Sequence, residues 1–272
     1  MTPSSTARPA RSVYILRHGI RQDFITTDFV SPTGRKHDPP LHETGHQQAE
    51  ALAVFLGQSQ TSKIRHVFCS PFSRCVQTVR PLSLALGVPL RIEPGVGEWF
   101  KVINVGTDLF DKDSEPPSLN ELATALNIKT GSCAGEIDPA YEPVAVRVKR
   151  ETPDEIHTRF ERVLNELVDR LDKEQLDGDV LIATHAAGLI AAVRGLLQWP
   201  NAPVVAGVAT FTKLSRSADP PAPGERVWKV DINGEQSHLA QHGGLLYNWQ
   251  FPGAFAPVGS YNDIFTPPPL DS

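Results

Sequence analysis

The chain has 272 residues, a length that favours one large domain, with or without an insertion, over several separate domains. Hydrophobic residues make up 40% and charged residues 21% of it, which is typical of a globular protein and excludes a disordered one. The formal net charge is −5, so we expect no direct binding of nucleic acid. Three cysteines cannot form a disulfide framework, and they favour a reducing compartment.

Neither end of the chain and no internal run has the pattern of a membrane segment. Residues 1–11 lack the apolar core of a secretory signal, and we expect them to form a flexible leader. Residues 180–193 are almost uncharged, but a bilayer-spanning helix needs about 20 apolar residues, so this run predicts a buried strand and helix. We therefore expect an intracellular protein, cytoplasmic or nuclear, that is not secreted and has no membrane partner.

The first half of the sequence alternates strand and helix patterns. Residues 12–16 form a short apolar run that predicts a strand buried on both faces. A helix is predicted to begin at Thr44, whose hydroxyl would form a capping box with Gln47. A second strand over 64–69 and a helix over 72–86 follow, and this alternation is typical of a layered α/β sheet.

The pattern breaks between residues 100 and 150. This stretch is rich in proline and has weak periodicity, and a loop of that length inside a compact domain is usually a lid or an insertion. We interpret it as an acidic cap over one end of the sheet.

Regular patterns return at Thr152, which predicts a helix N-cap with Glu155 as its capping-box partner. The remaining predicted elements are a strand over 179–184, a helix over 186–197, strands over 204–214 and 226–232, and a loop over 219–224 between those two strands. The expected fold is a three-layer α/β/α sandwich with a mostly parallel central sheet and an inserted cap. The domain would span residues 12–255, with the cap at about 100–150 and an irregular tail over 256–272.

Three predicted strands end in polar, reactive residues. Arg17 and His18 follow the first, Arg74 lies just after the second, and His185 follows the third. Ligands of open α/β sheets bind beyond the carboxyl ends of the strands, so parallel strands would bring these four side chains into one crevice. Two arginines and two histidines, aided by helix N-termini, predict a site for phosphate oxygens.

One motif suggests a different chemistry. Residues 42–46 match the His-Glu-x-x-His pattern of zinc proteases, which needs both histidines on one face of an established helix. Because the predicted N-cap is Thr44, His42 would lie outside the helix, and we expect no metal site here. Cys69 and Cys75 also lack the second Cys/His pair of a zinc site, and we expect them to be small buried side chains.

Residues 16–19 (LRHG) and 40–49 (PLHETGHQQA) resemble the opening of the histidine phosphatase (phosphoglycerate mutase-like) superfamily. Residues 70–78 (SPFSRCVQT) resemble its second signature and residues 183–188 (ATHAAG) its last, so the resemblance covers about residues 12–250. Residues 17–23 and 97–100 are most similar to the eukaryotic branch with Sts-type phosphatases and fungal proteins similar to a phosphatase-like subunit of RNA polymerase III factor IIIC. The sequence differs from many members in having Ala186-Ala187 in place of glycines.

The resemblance implies a role for each matched residue. His18 would be the nucleophile that becomes phosphorylated, and Arg17, Arg74 and His185 would hold the phosphoryl oxygens. Glu98 matches the general acid, which would need a raised pKa, with Trp99 and Phe100 as its apolar wall. His18 would have to be neutral and His185 would be more useful protonated.

The expected function is hydrolysis of phosphate monoesters without a metal or cofactor, with a phosphorylated small molecule or phosphopeptide as substrate. Arg21 would add a phosphate contact, and free phosphate or sulfate would occupy the same site. Two alternatives remain: an inactive phosphatase-like subunit of a transcription factor complex, with a protein partner, and a phosphoglycerate-type mutase. All five catalytic positions are filled by competent residues and little sequence lies beyond the fold, which disfavours the scaffold. The acidic cap disfavours a bisphosphate, and with it the mutase.

Overall fold

The computed structural model describes residues 10–251 apart from 60–62, 102–114, 147–149, 220, 223–224 and 226. Within that part of the chain one sheet is formed by six strands, named in chain order β1 (Arg11–Arg17), β2 (Ile64–Cys69), β3 (Leu90–Ile92), β4 (Asp179–Thr184), β5 (Phe211–Arg216) and β6 (Lys229–Glu235). The described helices are α1 (Glu43–Gly57), α2 (Ser73–Leu86), α3 (Leu119–Ala125), α4 (Pro153–Lys173) and α5 (Ala186–Leu197), with short 3₁₀ turns at Gln22–Phe24, Pro94–Val96 and Ser237–Leu239.

The strand order across the sheet is β3-β2-β4-β1-β5-β6, which confirms the expected fold class. β3, β2, β4 and β1 are parallel to one another, and the pairs β1–β5 and β5–β6 are antiparallel. In register, Arg17 lies beside Thr184, and Cys69 lies beside Ala183. The carboxyl ends of β1, β2 and β4 therefore meet at one edge, with β4 between the other two.

Helices cover both faces of the sheet, as in a three-layer sandwich. α4 and α5 pack on the face that carries Val13, Ile15 and Ile182, whereas α1 and α2 pack on the opposite face. Alternate residues of each strand thus enter different halves of the core, because side chains of a strand point to opposite faces in turn. Each buried Leu, Ile or Phe adds roughly 2 kcal/mol of apolar transfer free energy.

The two predicted helix starts have different outcomes. Thr152 and Glu155 form the expected capping box at the start of α4. The capping box predicted at Thr44 is wrong, because α1 begins at Glu43 and its N-cap is His42. The His42 ring accepts a hydrogen bond from the Thr44 amide, so the imidazole replaces the hydroxyl as the capping acceptor.

The last two strands begin later than predicted. β5 starts at Phe211 rather than 204, and β6 covers Lys229–Glu235 rather than 226–232. The apolar run before β5 is buried but irregular: Ala209 has a φ of 54°, and the carbonyl of Ala206 accepts a hydrogen bond from Arg17 instead of a strand partner. Burial without a neighbouring strand explains why hydrophobicity alone misplaced this boundary.

The predicted cap and termini are described only in part. Residues 100–150 contain α3, whose capping box joins Ser118 and Glu121, and a parallel bridge pairs Leu90 with Ile137. Residues 102–114 and 147–149 of the cap, 1–9 of the leader and the tail from 252 lie outside the described residues. β1 begins at Arg11, inside the predicted leader, where Arg11 pairs with Arg216 of β5; the buried Arg11 guanidinium also forms an ion pair with Asp172.

No helix among the described residues is both long enough and apolar enough to cross a membrane.

Candidate active site

A cavity of about 620 Å³ opens at the edge where β1, β2 and β4 end. It holds five of the six predicted site residues, namely Arg17, His18, Arg21, Arg74 and Glu98. Lys36 and His37 add further basic character, and the remaining wall is largely aromatic: Phe24, Phe29, Trp99, Phe100 and Trp249. The cavity thus has a basic floor and apolar sides, a combination that suits an anion attached to an apolar body.

His18 is buried directly after β1 and is held in a single protonation pattern. Its Nδ1 lies 2.8 Å from the carbonyl oxygen of Gly19. A carbonyl only accepts hydrogen bonds, so Nδ1 carries the proton and Nε2 of the neutral ring keeps its lone pair. Burial, with further contributions from Arg74, Arg17, His185 and Arg21, holds the pKa of His18 well below 6.5. His18 is therefore a neutral base, as nucleophilic attack requires.

Hydrogen bonds to the end of β4 and to α2 place His18. Its amide donates to the Thr184 carbonyl at the end of β4, at 3.0 Å. The next amide, that of Gly19, donates to Thr78 Oγ1 at 2.9 Å, and that hydroxyl donates to the Arg74 carbonyl at 2.7 Å. The first turn of α2 and the loop after β1 are thereby fixed to each other through one threonine.

Arg74, His185 and Glu98 form a compact charged cluster beside His18. Arg74 Nη2 donates to Glu98 Oε2 at 3.0 Å, and His185 Nδ1 lies 3.2 Å from the same oxygen. The rings of His18 and His185 are 5.4 Å apart. His185 lies behind this pair rather than among the residues that line the cavity. The predicted convergence of two histidines and two arginines is thus present, with Glu98 at its centre.

The electrostatics of this cluster correct two expectations. Glu98 was expected to have a raised pKa; burial does raise it, but His185, Arg74 and Arg21 outweigh burial and hold the pKa well below 4.5. His185 was expected to be protonated, yet burial lowers its pKa to about 4, despite the opposing effect of Glu98. In this geometry Glu98 is ionised and His185 is neutral.

The other two predicted arginines have partners of their own. Arg17 Nη1 donates to the carbonyls of Ala206 and Tyr247, both at 2.6 Å, which fixes the guanidinium at the cavity wall. Arg21 forms a two-point hydrogen-bonded pair with Asp23, at 2.8 Å for each bond, and lies over the ring of Phe24. A ligand phosphate would therefore meet Arg17 in a fixed orientation and compete with Asp23 for Arg21.

Two polar residues of the site were not singled out from the sequence. Ser70 Oγ lies 2.8 Å from His185 Nε2, and it orients the ring because Nδ1 is engaged by Glu98. Asp38 is fully buried and accepts from the amide and hydroxyl of Ser73, so it caps α2 from a distant loop. Ser70 could have been recognised from its place in the motif that follows β2. Nothing in the sequence around Asp38 distinguishes it from other loop residues.

The zinc-protease motif has a different role in the fold. His42 is the N-cap of α1, and its Nδ1 is used by the Thr44 amide. Across the described residues, no group of three or more His, Cys, Asp or Glu side chains has the arrangement of a metal site. Cys69 and Cys75 are buried free thiols, and burial raises the pKa of Cys75 to about 12.

The fold and this arrangement of strand-end residues are those of an α/β protein similar to the histidine phosphatase superfamily. Residues 13–108 match the family model of the histidine phosphatase superfamily (branch 1). The chain is 29% identical over 280 positions to the transcription factor tau 55 kDa subunit of Saccharomyces cerevisiae, covering 93% of this chain and 61% of that protein. It is also 29% identical to the ecdysteroid-phosphate phosphatase of Drosophila melanogaster, covering 68% of this chain and 27% of that protein.

A solved structure agrees with the fold. The ecdysone phosphate phosphatase of Bombyx mori, in complex with tungstate, superposes with a TM-score of 0.58 at 22% identity, over 82% of this chain and 92% of that one. At this level of identity the likeness concerns the fold alone. The chain spans less than two thirds of the length of both the yeast and the fly protein.

Proposed function

We propose that the chain is a metal-independent phosphatase that hydrolyses phosphate monoesters through a phosphohistidine intermediate on His18. The observation that carries this proposal is the neutral His18 ring, whose free Nε2 belongs to a buried base in a cavity with three arginines. A buried, uncharged imidazole beside fixed guanidinium groups is suited to attack on a phosphate, because these groups stabilise charge on the equatorial oxygens. The family match supports the same assignment.

The reaction would proceed in two in-line displacements. In the first, Nε2 of His18 forms a bond to phosphorus while the ester oxygen leaves and takes a proton from Glu98. In the second, Glu98 removes a proton from water, whose oxygen attacks the phosphohistidine and releases phosphate and free His18. Arg17, Arg21 and Arg74 would bind the phosphoryl oxygens through both steps.

The ionised state of Glu98 fits this scheme once a phosphate is bound. A phosphate dianion held by Arg74 would withdraw a donor from Glu98 and place negative charge beside it. Both changes raise the pKa of a carboxyl group. We therefore propose that substrate binding itself shifts Glu98 toward the protonated form, and that His185 contacts the phosphoryl oxygens after Glu98 moves away from it.

The substrate would be a phosphorylated small molecule or a phosphopeptide. The aromatic side chains around the cavity mouth, including Phe24, Phe100 and Trp249, could cover an apolar group next to the phosphate. Inorganic phosphate or sulfate would compete for the same arginines.

A second candidate function is that of a subunit in a complex like RNA polymerase III factor IIIC, with a protein partner. The supporting observation is that the resemblance to the yeast tau 55 kDa subunit extends over 93% of this chain. This function would place the protein in the nucleus, whereas a free phosphatase could also act in the cytoplasm. The two functions are compatible if the subunit keeps its catalytic residues.

The proposal is tested by phosphate release from p-nitrophenyl phosphate and from a panel of phosphotyrosyl peptides, sugar phosphates and small esters, with EDTA present. We expect turnover of at least one ester, and His18→Ala should lower kcat/KM at least about a thousand-fold because the nucleophile is lost. His46→Ala, which changes an exposed histidine of α1, is the matched control and should keep full activity. Equal activity in His18→Ala would contradict the mechanism, and an inactive unsubstituted chain would favour the scaffold.

A further inference from the structure

The loop that carries Glu98, residues 93–101, is bound to α4 through the guanidinium group of Arg159. Arg159 Nη1 donates to the carbonyls of Gly95 and Gly97, at 2.8 and 3.2 Å, and Nη2 donates to the carbonyl of Glu98 itself, at 3.4 Å. Apart from the short turn Pro94–Val96, this loop has no regular structure. Three of its backbone carbonyls therefore accept hydrogen bonds from one side chain.

Glu151 fixes Arg159 and the other side of the same loop. Its carboxylate accepts from Arg159 Nε at 2.7 Å and from Nη2 at 2.6 Å, a two-point pair in which both side chains are less than a tenth exposed. The backbone of Glu151 pairs with the residues after Glu98: its amide donates to the Phe100 carbonyl, and its carbonyl accepts from Trp99 Nε1, both at 2.9 Å. Glu98 thus lies between two stretches of loop that the same ion pair anchors.

The geometry of this pair matters because Glu98 must reach a leaving oxygen at hydrogen-bond distance. An error of about 1 Å in the position of a catalytic group can cost on the order of 10²-fold in rate. A lysine could not reproduce the contacts, because an ammonium group is a compact charge without the planar fork that reaches a carboxylate and several carbonyls at once.

We infer that Arg159 and Glu151 act as a clamp that positions Glu98 for proton transfer, so that Arg159 is a positioning residue of the reaction. This inference rests on the proposed function. It gives the pair a role that a purely structural ion pair does not have: its loss should slow the proton transfers of Glu98, including the one to the leaving oxygen, and should affect substrate binding much less.

The test compares two substrates that differ in their need for a general acid. p-Nitrophenolate leaves readily without a proton, whereas phenolate is a stronger base and needs one. kcat/KM reports only the first displacement, in which the ester oxygen leaves, whereas kcat also includes hydrolysis of the phosphohistidine. In Arg159→Lys we expect kcat/KM for phenyl phosphate to fall about 50- to 100-fold, and kcat/KM for p-nitrophenyl phosphate to fall less than about five-fold. The ratio of the two rates does not depend on the fraction of folded protein, so partial unfolding cannot imitate the result.

Three further variants make the test specific. Glu151→Gln should give the same selective loss, and adding Arg159→Lys to Glu98→Gln should change the rates little further, since the residues act as a unit. Arg162→Lys, on the same helix and bonded only to the Ala145 carbonyl among the described residues, is the matched control and should leave both rates unchanged. Equal losses of kcat/KM with both esters in Arg159→Lys would overturn the clamp. No turnover of either ester by the unsubstituted chain would overturn the proposed function, and the clamp with it.

Discussion

Which residues form this site and which protonation states they have are determined at different levels of structure. The sequence was sufficient to select His18, Arg74, His185 and Glu98, because each follows a predicted strand or matches a family motif. The sequence was not sufficient to predict the protonation states of these side chains. The low pKa of Glu98 depends on Arg74 and His185, which lie 3.0 and 3.2 Å from its carboxylate and are remote from it in the chain. Such distances are set by tertiary structure alone.

At the residue scale, the burial of His18 determines how its ring responds to acid. Its pKa in the folded chain lies well below 6.5, so the ring should remain neutral as the pH falls through the range in which an ordinary histidine becomes charged. In the unfolded chain His18 has its ordinary pKa and binds a proton at a higher pH than in the folded chain. Acidification below pH 6.5 should therefore lower the free energy of unfolding.

NMR of the histidine rings checks this, with the His18 signal assigned by its loss in His18→Ala. We expect that signal to keep its neutral position from pH 8 down to about pH 5.5. A titration midpoint close to 6.5 would contradict the burial argument.

At the element scale, the start of α1 shows what local pattern can and cannot predict. The helix itself was predicted from the spacing of its apolar residues, and it ends at Gly57 as expected. Its N-cap was misplaced because His42, rather than Thr44, supplies the acceptor. The packing of its first turn was also invisible in the sequence. The Ile20 carbonyl accepts from the His42 amide, and the Ile20 amide donates to Gln48.

Gly45 makes this packing possible. For this reason we expect Gly45→Ala to change stability in the direction opposite to the one that helix propensity predicts. Propensity alone predicts that Gly45→Ala stabilises α1 by up to about 1 kcal/mol. A Cβ at this position would overlap the Ile20 carbonyl oxygen and lie 3.0 Å from the Ile20 nitrogen. We therefore expect Gly45→Ala to destabilise the fold by about 1–3 kcal/mol, and to lower activity because Ile20 is two residues from His18.

Urea denaturation gives the free energy of unfolding for this comparison. Gln47→Ala, which changes an exposed residue of the same helix turn, is the control and should shift stability by less than about 0.5 kcal/mol. A Gly45→Ala protein as stable as the unsubstituted one would mean that the loop after β1 does not approach α1 as closely as described.

At the scale of the whole molecule, the order of strands and helices was the most predictable feature. The strands that carry the site, β1, β2 and β4, lie within one residue of their predicted bounds, because buried parallel strands are continuous apolar runs. β3 and α3 were missed, since three and seven residues are too few to show a period. β5 was misplaced because burial of the preceding run comes from packing and from the contact with Arg17, which no local pattern records.

The central claim is that this topology makes His18 a covalent carrier of phosphate. It is tested most directly by mixing Glu98→Gln with p-nitrophenyl phosphate labelled in the phosphoryl group, and quenching in alkali, in which phosphohistidine is stable. The variant should form the intermediate, because p-nitrophenolate needs no acid, and should hydrolyse it slowly, because the base for water is missing. We expect close to one label per chain, mapped by peptide mass spectrometry to His18 and absent from the His18→Ala, Glu98→Gln double variant. Turnover of the ester with no label on His18, or with the label on another residue, would contradict it.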